Sequence, residues 1–140
     1  MNKELAAKIL AFDDRRFANV RVPEWGNEVF RLRSWTGGDR ADFDAESAIL
    51  NQHLEESDRA GLVTARVVAW SLVDDNNMPV FDVADLKHLR GLAASENLEP
   101  GIKVYRDLQT RGAKPLQRLY NVAAKLNLFD EDDDEALEKN

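Results

Sequence analysis

Two histidines, 26 carboxylates, 19 basic side chains and no cysteine make up the reactive inventory of this 140-residue chain. Without a thiol there is no disulfide, no thiolate nucleophile, no iron–sulfur cluster and no cysteine-held zinc. His53 and His88 stand alone. Neither falls in H-E-x-x-H or a His-rich tract, and each reads as a surface helical histidine unless folding pairs it with acids. No G-x-S-x-G surrounds a serine, and Ser71 lies inside an apolar run. Asp130, Asp132 and Asp134 imitate the opening of a calcium loop. Glu135 occupies the position that needs glycine, and position twelve would fall beyond Asn140. Gly37-Gly38 lacks the Lys-Ser/Thr of a P-loop, so it reads as helix initiation rather than an anion cradle. No catalytic residue, metal ligand or cofactor site is assigned.

What remains is surface able to meet a partner. Six arginines fall within residues 15–40: Arg15, Arg16, Arg21, Arg31, Arg33 and Arg40. Arg31 and Arg33 share one face of a strand, and Arg21 joins them across a hairpin. Such a face meets phosphate or an acidic protein patch, or is simply solvated. Glu24, Glu28 and Asp39 are interspersed and no aromatic stacking platform accompanies it, which argues against nucleic acid. Trp25 sits at the hairpin tip, either as an interface anchor or folded back onto its own sheet. Trp70 reads as core. Residues 130–138 hold seven acids, leaving 19 acids against 18 bases in residues 1–129, so the net charge of −7 belongs to a tail. The candidate partner-binding residues are Trp25, Arg21, Arg31 and Arg33, with Asp130, Asp132, Asp133 and Asp134 of that tail.

The elements that must position these residues follow from periodicity. Residues 3–12 place Leu5, Ile9 and Phe12 on one helical stripe. Residues 17–35 switch to period two on either side of Pro23-Glu24-Trp25-Gly26-Asn27, a hairpin in which Pro23 ends a strand and Gly26 supplies positive φ. Thr36, with Asp39 three residues on, caps a helix running from about Gly38 to Glu56, with Phe43, Ile49, Leu50 and Leu54 as core contacts. Leu62–Val73 carries Arg66 as its one charge. Its β-branched content permits a strand, and its length without alternation favours a buried helix. Asp74–Asn77 is a turn, and Val80-Phe81 a brief extended piece. Asp82 caps a helix carrying Val83, Leu86 and Leu89 that Gly91 ends. Pro100 opens a helix with Ile102, Tyr105 and Leu108 on one face, and Gly112 closes it. Lys114-Pro115 opens the last helix, with Leu116, Leu119, Ala123 and Leu126 at helical spacing and Asn127 closing it. The fold class is α+β and predominantly helical, an N-terminal β-hairpin packed against five or six helices. Residues 1–129 read as one globular domain and 130–140 as a flexible acidic tail. No apolar run approaches the ~20 residues of a membrane span, and residues 1–5 carry no signal-peptide h-region.

Val20-Arg21-Val22-Pro23-Glu24-Trp25-Gly26, then Val29–Arg33, then Thr36-Gly37 before Asp39-Arg40 and Phe43, resemble the N-terminal part of phage tail assembly chaperones. Leu72-Val73-Asp74-Asp75 running to Phe81 resembles the stretch after that family's buried helix. Leu119–Leu126, Leu128, the acids and Glu138-Lys139-Asn140 resemble its end. Trp35 departs from the pattern, standing where a smaller apolar residue is expected. The resemblance spans most of residues 17–140. It implies a non-enzyme in the cytoplasm of the bacterial host, one that binds the tape-measure protein and keeps it soluble while tail tube subunits polymerise. It also implies self-association and absence from the finished virion. Glu138-Lys139-Asn140 is encodable by a run of adenines, and the family implies a longer frameshifted product that engages tail tube subunits. No nucleic-acid or membrane partner is implied. A phage or prophage structural or adaptor protein binding another virion component is the alternative.

Overall fold

The computed structural model describes residues 1–83 and 85–128. The predicted acidic tail lies outside the described residues. Helix α1, Lys3–Ala11, is capped by the Asn2 side chain, which accepts from the Leu5 N–H at 3.0 Å. Strands β1, Phe17–Val22, and β2, Glu28–Arg33, form the expected antiparallel hairpin, with Phe17 opposite Arg33 and Val22 opposite Glu28. Gly26 and Asn27 both take positive φ in the turn, at 69° and 56°. Alternation turns Val20, Val22 and Leu32 inward and leaves Arg21, Arg31 and Arg33 on the other face.

Helix α2, Gly37–His53, begins at a full capping box. The Thr36 hydroxyl accepts from the Asp39 N–H, and the Asp39 carboxylate accepts from the Thr36 N–H, each at 3.0 Å. It stops three residues short of the expected Glu56, because Arg59 donates to the carbonyls of Asn51 and Leu54 and closes its C-terminus. Helix α3, Glu56–Ser71, starts six residues earlier than its apolar run suggests, since Glu56 and Asp58 suit the positive end of the helix dipole. At Ser71 the helix ends, and Leu72–Val73 becomes β3, pairing antiparallel with Leu32 and Arg31 in a sheet ordered β1-β2-β3. Both readings of residues 62–73 therefore apply, to different parts. The Asp74–Asn77 turn is present, with Val73 bridging Pro79 beyond it.

Helix α4, Leu86–Ala94, differs from expectation at both ends. Asp85, not Asp82, caps it, accepting from the His88 N–H at 3.0 Å. Gly91 lies inside it, because burial of Leu89 and Ala93 one turn apart carries the helix across the glycine. A 3₁₀ turn at Glu99–Ile102 contains Pro100 and leads into α5, Lys103–Gln109. Gly112 does not close α5. It is the N-cap of α6, Ala113–Leu126, where a Cβ would meet the Pro115 ring at an ordinary contact distance of 3.4 Å. Asn127 closes α6 as expected.

Helix α3 lies between two cores. Leu62, Ala65 and Ala69 face Leu50, Leu89, Ile102 and Tyr105. Val67 and Val68 face Val22, Leu32, Leu119 and Ala123, joining sheet to α6. Burial on both sides explains why this helix is largely apolar from Leu62 onward. A predominantly helical α+β fold with one three-stranded antiparallel sheet results.

Candidate functional site

The hairpin turn is a clasp. Arg118 of α6 donates to both Glu24 carboxylate oxygens, at 2.5 and 3.0 Å, and that guanidinium holds the Glu24 carboxyl down at about 2. Trp25 is half-buried, packs against both cores and meets the Phe30 ring edge-to-face at 5.6 Å. Of its two readings, the structure shows the ring folded back. The most specific part of the sequence pattern thus fastens the hairpin tip to α6.

Arg21, Arg31 and Arg33 do share the outer sheet face. Arg21 donates to the Asn27 carbonyl at 2.7 Å, Arg31 to the Asn77 side chain at 2.8 Å, and Arg33 to the Asn77 carbonyl at 2.8 Å. The Arg31 guanidinium also lies 4.4 Å from the Phe17 ring centre. Positive φ at Asn77, 63°, presents both of its oxygens to the strand. These bonds brace the Asp74–Met78 turn against β2 and use only part of each guanidinium's donor set. Among the described residues none of the three has a carboxylate within 4 Å, nor do Arg15 and Arg16. A groove of about 540 Å³ runs along this face between Val29, Phe30, Arg31, Val73 and Val80. Met78 and Val80 stand exposed beside it. Asp130, Asp132, Asp133 and Asp134 lie outside the described residues.

Helix α1 is present but unsupported. No residue in it is buried. Leu5 is 52%, Ile9 59% and Leu10 85% exposed, and Phe12, just past its end, 67%. Leu5 and Ile9 of the expected stripe lie on the helix, Phe12 falls at its extended C-cap, and among the described residues none buries them.

Sequence reasoning missed a buried polar cluster. Glu46 of α2 is 2% exposed and Arg66 of α3 is 4% exposed. Glu46 Oε1 accepts from Arg66 Nε and the Tyr105 hydroxyl, both at 2.8 Å, and Oε2 accepts from the same hydroxyl at 2.7 Å. Arg66 also donates to Ser47 Oγ at 2.9 Å and the Phe43 carbonyl at 3.2 Å, and lies 4.1 Å from the Phe43 ring centre. Trp70 Nε1 donates to the Tyr105 oxygen at 3.0 Å. Burial, then the adjacent Glu46 charge, push the Tyr105 hydroxyl far above its ordinary value. The signal was Arg66 itself, the lone charge in an apolar run. Trp35 fits through Ser71, whose hydroxyl accepts from its Nε1 at 3.1 Å, and through the Phe43 ring at 4.7 Å.

His53 and His88 are exposed, on α2 and α4, and line different clefts. Among the described residues no three or more His, Asp or Glu side chains converge as metal ligands, and no helix is long and apolar enough to cross a membrane. No protein-family model and no curated protein matches the chain. Among solved structures it is similar to the tail assembly chaperone of bacteriophage HK97, at 20% identity and a TM-score of 0.40, over 72% of this chain and 94% of that one.

Proposed function

We propose that this chain is a phage tail assembly chaperone that keeps the tape-measure protein soluble in the host cytoplasm while tube subunits gather, and makes or breaks no covalent bond. The observation that carries the reading is α1. A nine-residue helix is too short to be stable alone in water, where roughly 12–15 residues are marginal. Three large apolar side chains on this helix, with Phe12 just past its end, therefore call for a partner surface. A long helical client with apolar stripes supplies it, helix against helix. Covering on the order of 400 Å² of apolar surface is worth ~10 kcal/mol gross at ~25 cal/mol/Å². The cost of association offsets a large part of that. The resulting modest affinity suits a protein that holds a client and then yields it. The sequence resemblance over residues 17–140 supports the same reading. Self-association, and engagement of tube subunits by a longer frameshifted product, belong to it.

Co-expression with the tape-measure protein encoded beside it tests the proposal. The client should move into the soluble fraction and co-purify with this chain, and the chain should be missing from finished particles. A client that stays insoluble, or a chain retained in purified virions, overturns it, the second result favouring a structural adaptor.

A further inference from the structure

We infer that the open edge of β1 pairs with the same edge of a second copy of this chain, antiparallel and centred on Asn19. The inference rests on the self-association in the reading above and gives it a surface. The Ser34 N–H donates to the Arg16 carbonyl at 2.8 Å, one step beyond the Phe17–Arg33 pair. Bonding pairs alternate along an antiparallel ladder. Ala18 and Val20 therefore direct their backbone groups to β2, while Phe17, Asn19 and Arg21 direct theirs away from it. In the order β1-β2-β3 that side is the sheet's edge. Helix α6 packs under the inner face of β1 through Leu119 and Ala123. Among the described residues no hydrogen bond reaches the outward backbone groups of Phe17, Asn19 and Arg21.

The two edges of the sheet are built differently. Beyond β3 the backbone folds back to cover it: the Val80 N–H donates to the Leu72 carbonyl at 3.1 Å, and Val73 bridges Pro79. β1 runs six residues in unbroken register, with none of the proline, lysine or bulges that blunt an edge. Its one charge, Arg21, is tied to its own turn through the Asn27 carbonyl at 2.7 Å. The strand is also complementary to itself in one register. Ala18, Val20 and Val22 must stay on the α6 side, so outward residues can only oppose outward residues. Centring on Ala18 would set Arg15 against Arg21, and centring on Arg21 would oppose two guanidiniums. Centring on Val20 would bring Pro23, which has no N–H, against Phe17. Centring on Asn19 opposes two neutral amides and places Phe17 against Arg21 of the second copy at each end. It employs all three outward residues and forms about six backbone bonds. A guanidinium on that ring is the arrangement Arg31 and Phe17 already adopt within one chain, at 4.4 Å.

The chain has no cysteine, so Asn19→Cys carries a single thiol at an exposed position. Bonding pairs stand about 5.5 Å apart between Cα atoms, inside the roughly 4.4–6.8 Å that a disulfide spans. Under mild oxidation N19C should become a covalent dimer. Arg21→Cys, whose counterpart lies four residues or about 13 Å along the strand, should stay a monomer. In sedimentation, the mass of the unmodified chain should rise with concentration toward twice 15.9 kDa. Asn19→Pro removes an N–H that β2 does not use, and should hold the mass at 15.9 kDa with an unchanged circular dichroism spectrum. An unmodified chain that stays monomeric overturns the inference, as does N19C cross-linking no faster than R21C. A dimer that survives N19P with its spectrum intact overturns it too, and assigns self-association to another surface. All of these readouts use the purified chain alone, so their failure leaves client solubilisation to be decided by co-expression.

Discussion

Replacing Arg66 with Met tests the buried cluster directly. The substitution keeps an aliphatic stem in the α3 core and removes a guanidinium that donates at 2.8 Å to Glu46, 2.9 Å to Ser47 and 3.2 Å to the Phe43 carbonyl. Glu46 then stays 2% exposed with its charge unmatched. Removing one partner of a buried ion pair costs roughly 3–5 kcal/mol. The Tyr105 hydroxyl still serves both carboxylate oxygens, which places the expectation near the lower end, about 3 kcal/mol. With a urea slope of ~2 kcal/mol per molar, the midpoint should drop by about 1.5 M. Equilibrium unfolding followed by tryptophan fluorescence suits the question, because Trp70 donates into the same cluster. The second arm is the Glu46→Met, Arg66→Met double variant. If desolvated charge is the cause, the double variant costs clearly less than the two single variants summed, since neither charge is then left alone. A loss below ~1 kcal/mol for R66M, or strict additivity of the two changes, would refute the reasoning.

On α1, L5D with I9D should leave thermal stability within about 0.5 kcal/mol, because both side chains face water, yet abolish solubilisation of the tape-measure protein in co-expression. The Glu24 clasp has a definite pH sign. Its carboxyl is depressed to about 2 from an ordinary 4.5, so its stabilisation is complete at neutral pH and is lost as the pH falls through that window. In acid titrations followed by circular dichroism, E24Q should therefore be less stable than wild type at pH 7 and converge with it below about pH 2. Two glycines should behave oppositely in urea melts. G91A, mid-helix with nothing within 4 Å of the new methyl, should stabilise by about 0.5–1 kcal/mol. G101A places a methyl 2.6 Å from Leu89 Cδ1 and 3.0 Å from Leu92 Cδ1, and should cost about 1–3 kcal/mol.

Much of the fold was legible because local chemistry and tertiary packing agree. Thr36 and Asp39 form a capping box whatever packs on the helix, and period two around a Pro/Gly turn leaves a hairpin as the natural solution. The errors cluster where packing decides. Gly91 and Gly112 are equally good helix terminators by type. One is bridged by buried Leu89 and Ala93, and the other is turned into an N-cap by the Pro115 that follows. Asp82 and Asp85 are equally good caps, and only the hydrogen bond to the His88 N–H separates them.

The candidate site was less legible, for a different reason. An arginine on a strand shows its face but not its acceptor, and the acceptor of Arg31 and Arg33 is a turn residue more than 40 positions away. Glu46 was invisible among 26 acids because nothing local marks burial. Arg66 did announce itself, since a lone charge inside an apolar helix has to find a partner, and that partner sits on the neighbouring helix. With α1 the pattern was right and the inference from it was incomplete. An amphipathic stripe guarantees that something apolar must cover it, and says nothing about whether that cover is the same chain. Here Leu5 and Ile9 share a face of the helix, and among the described residues none buries them.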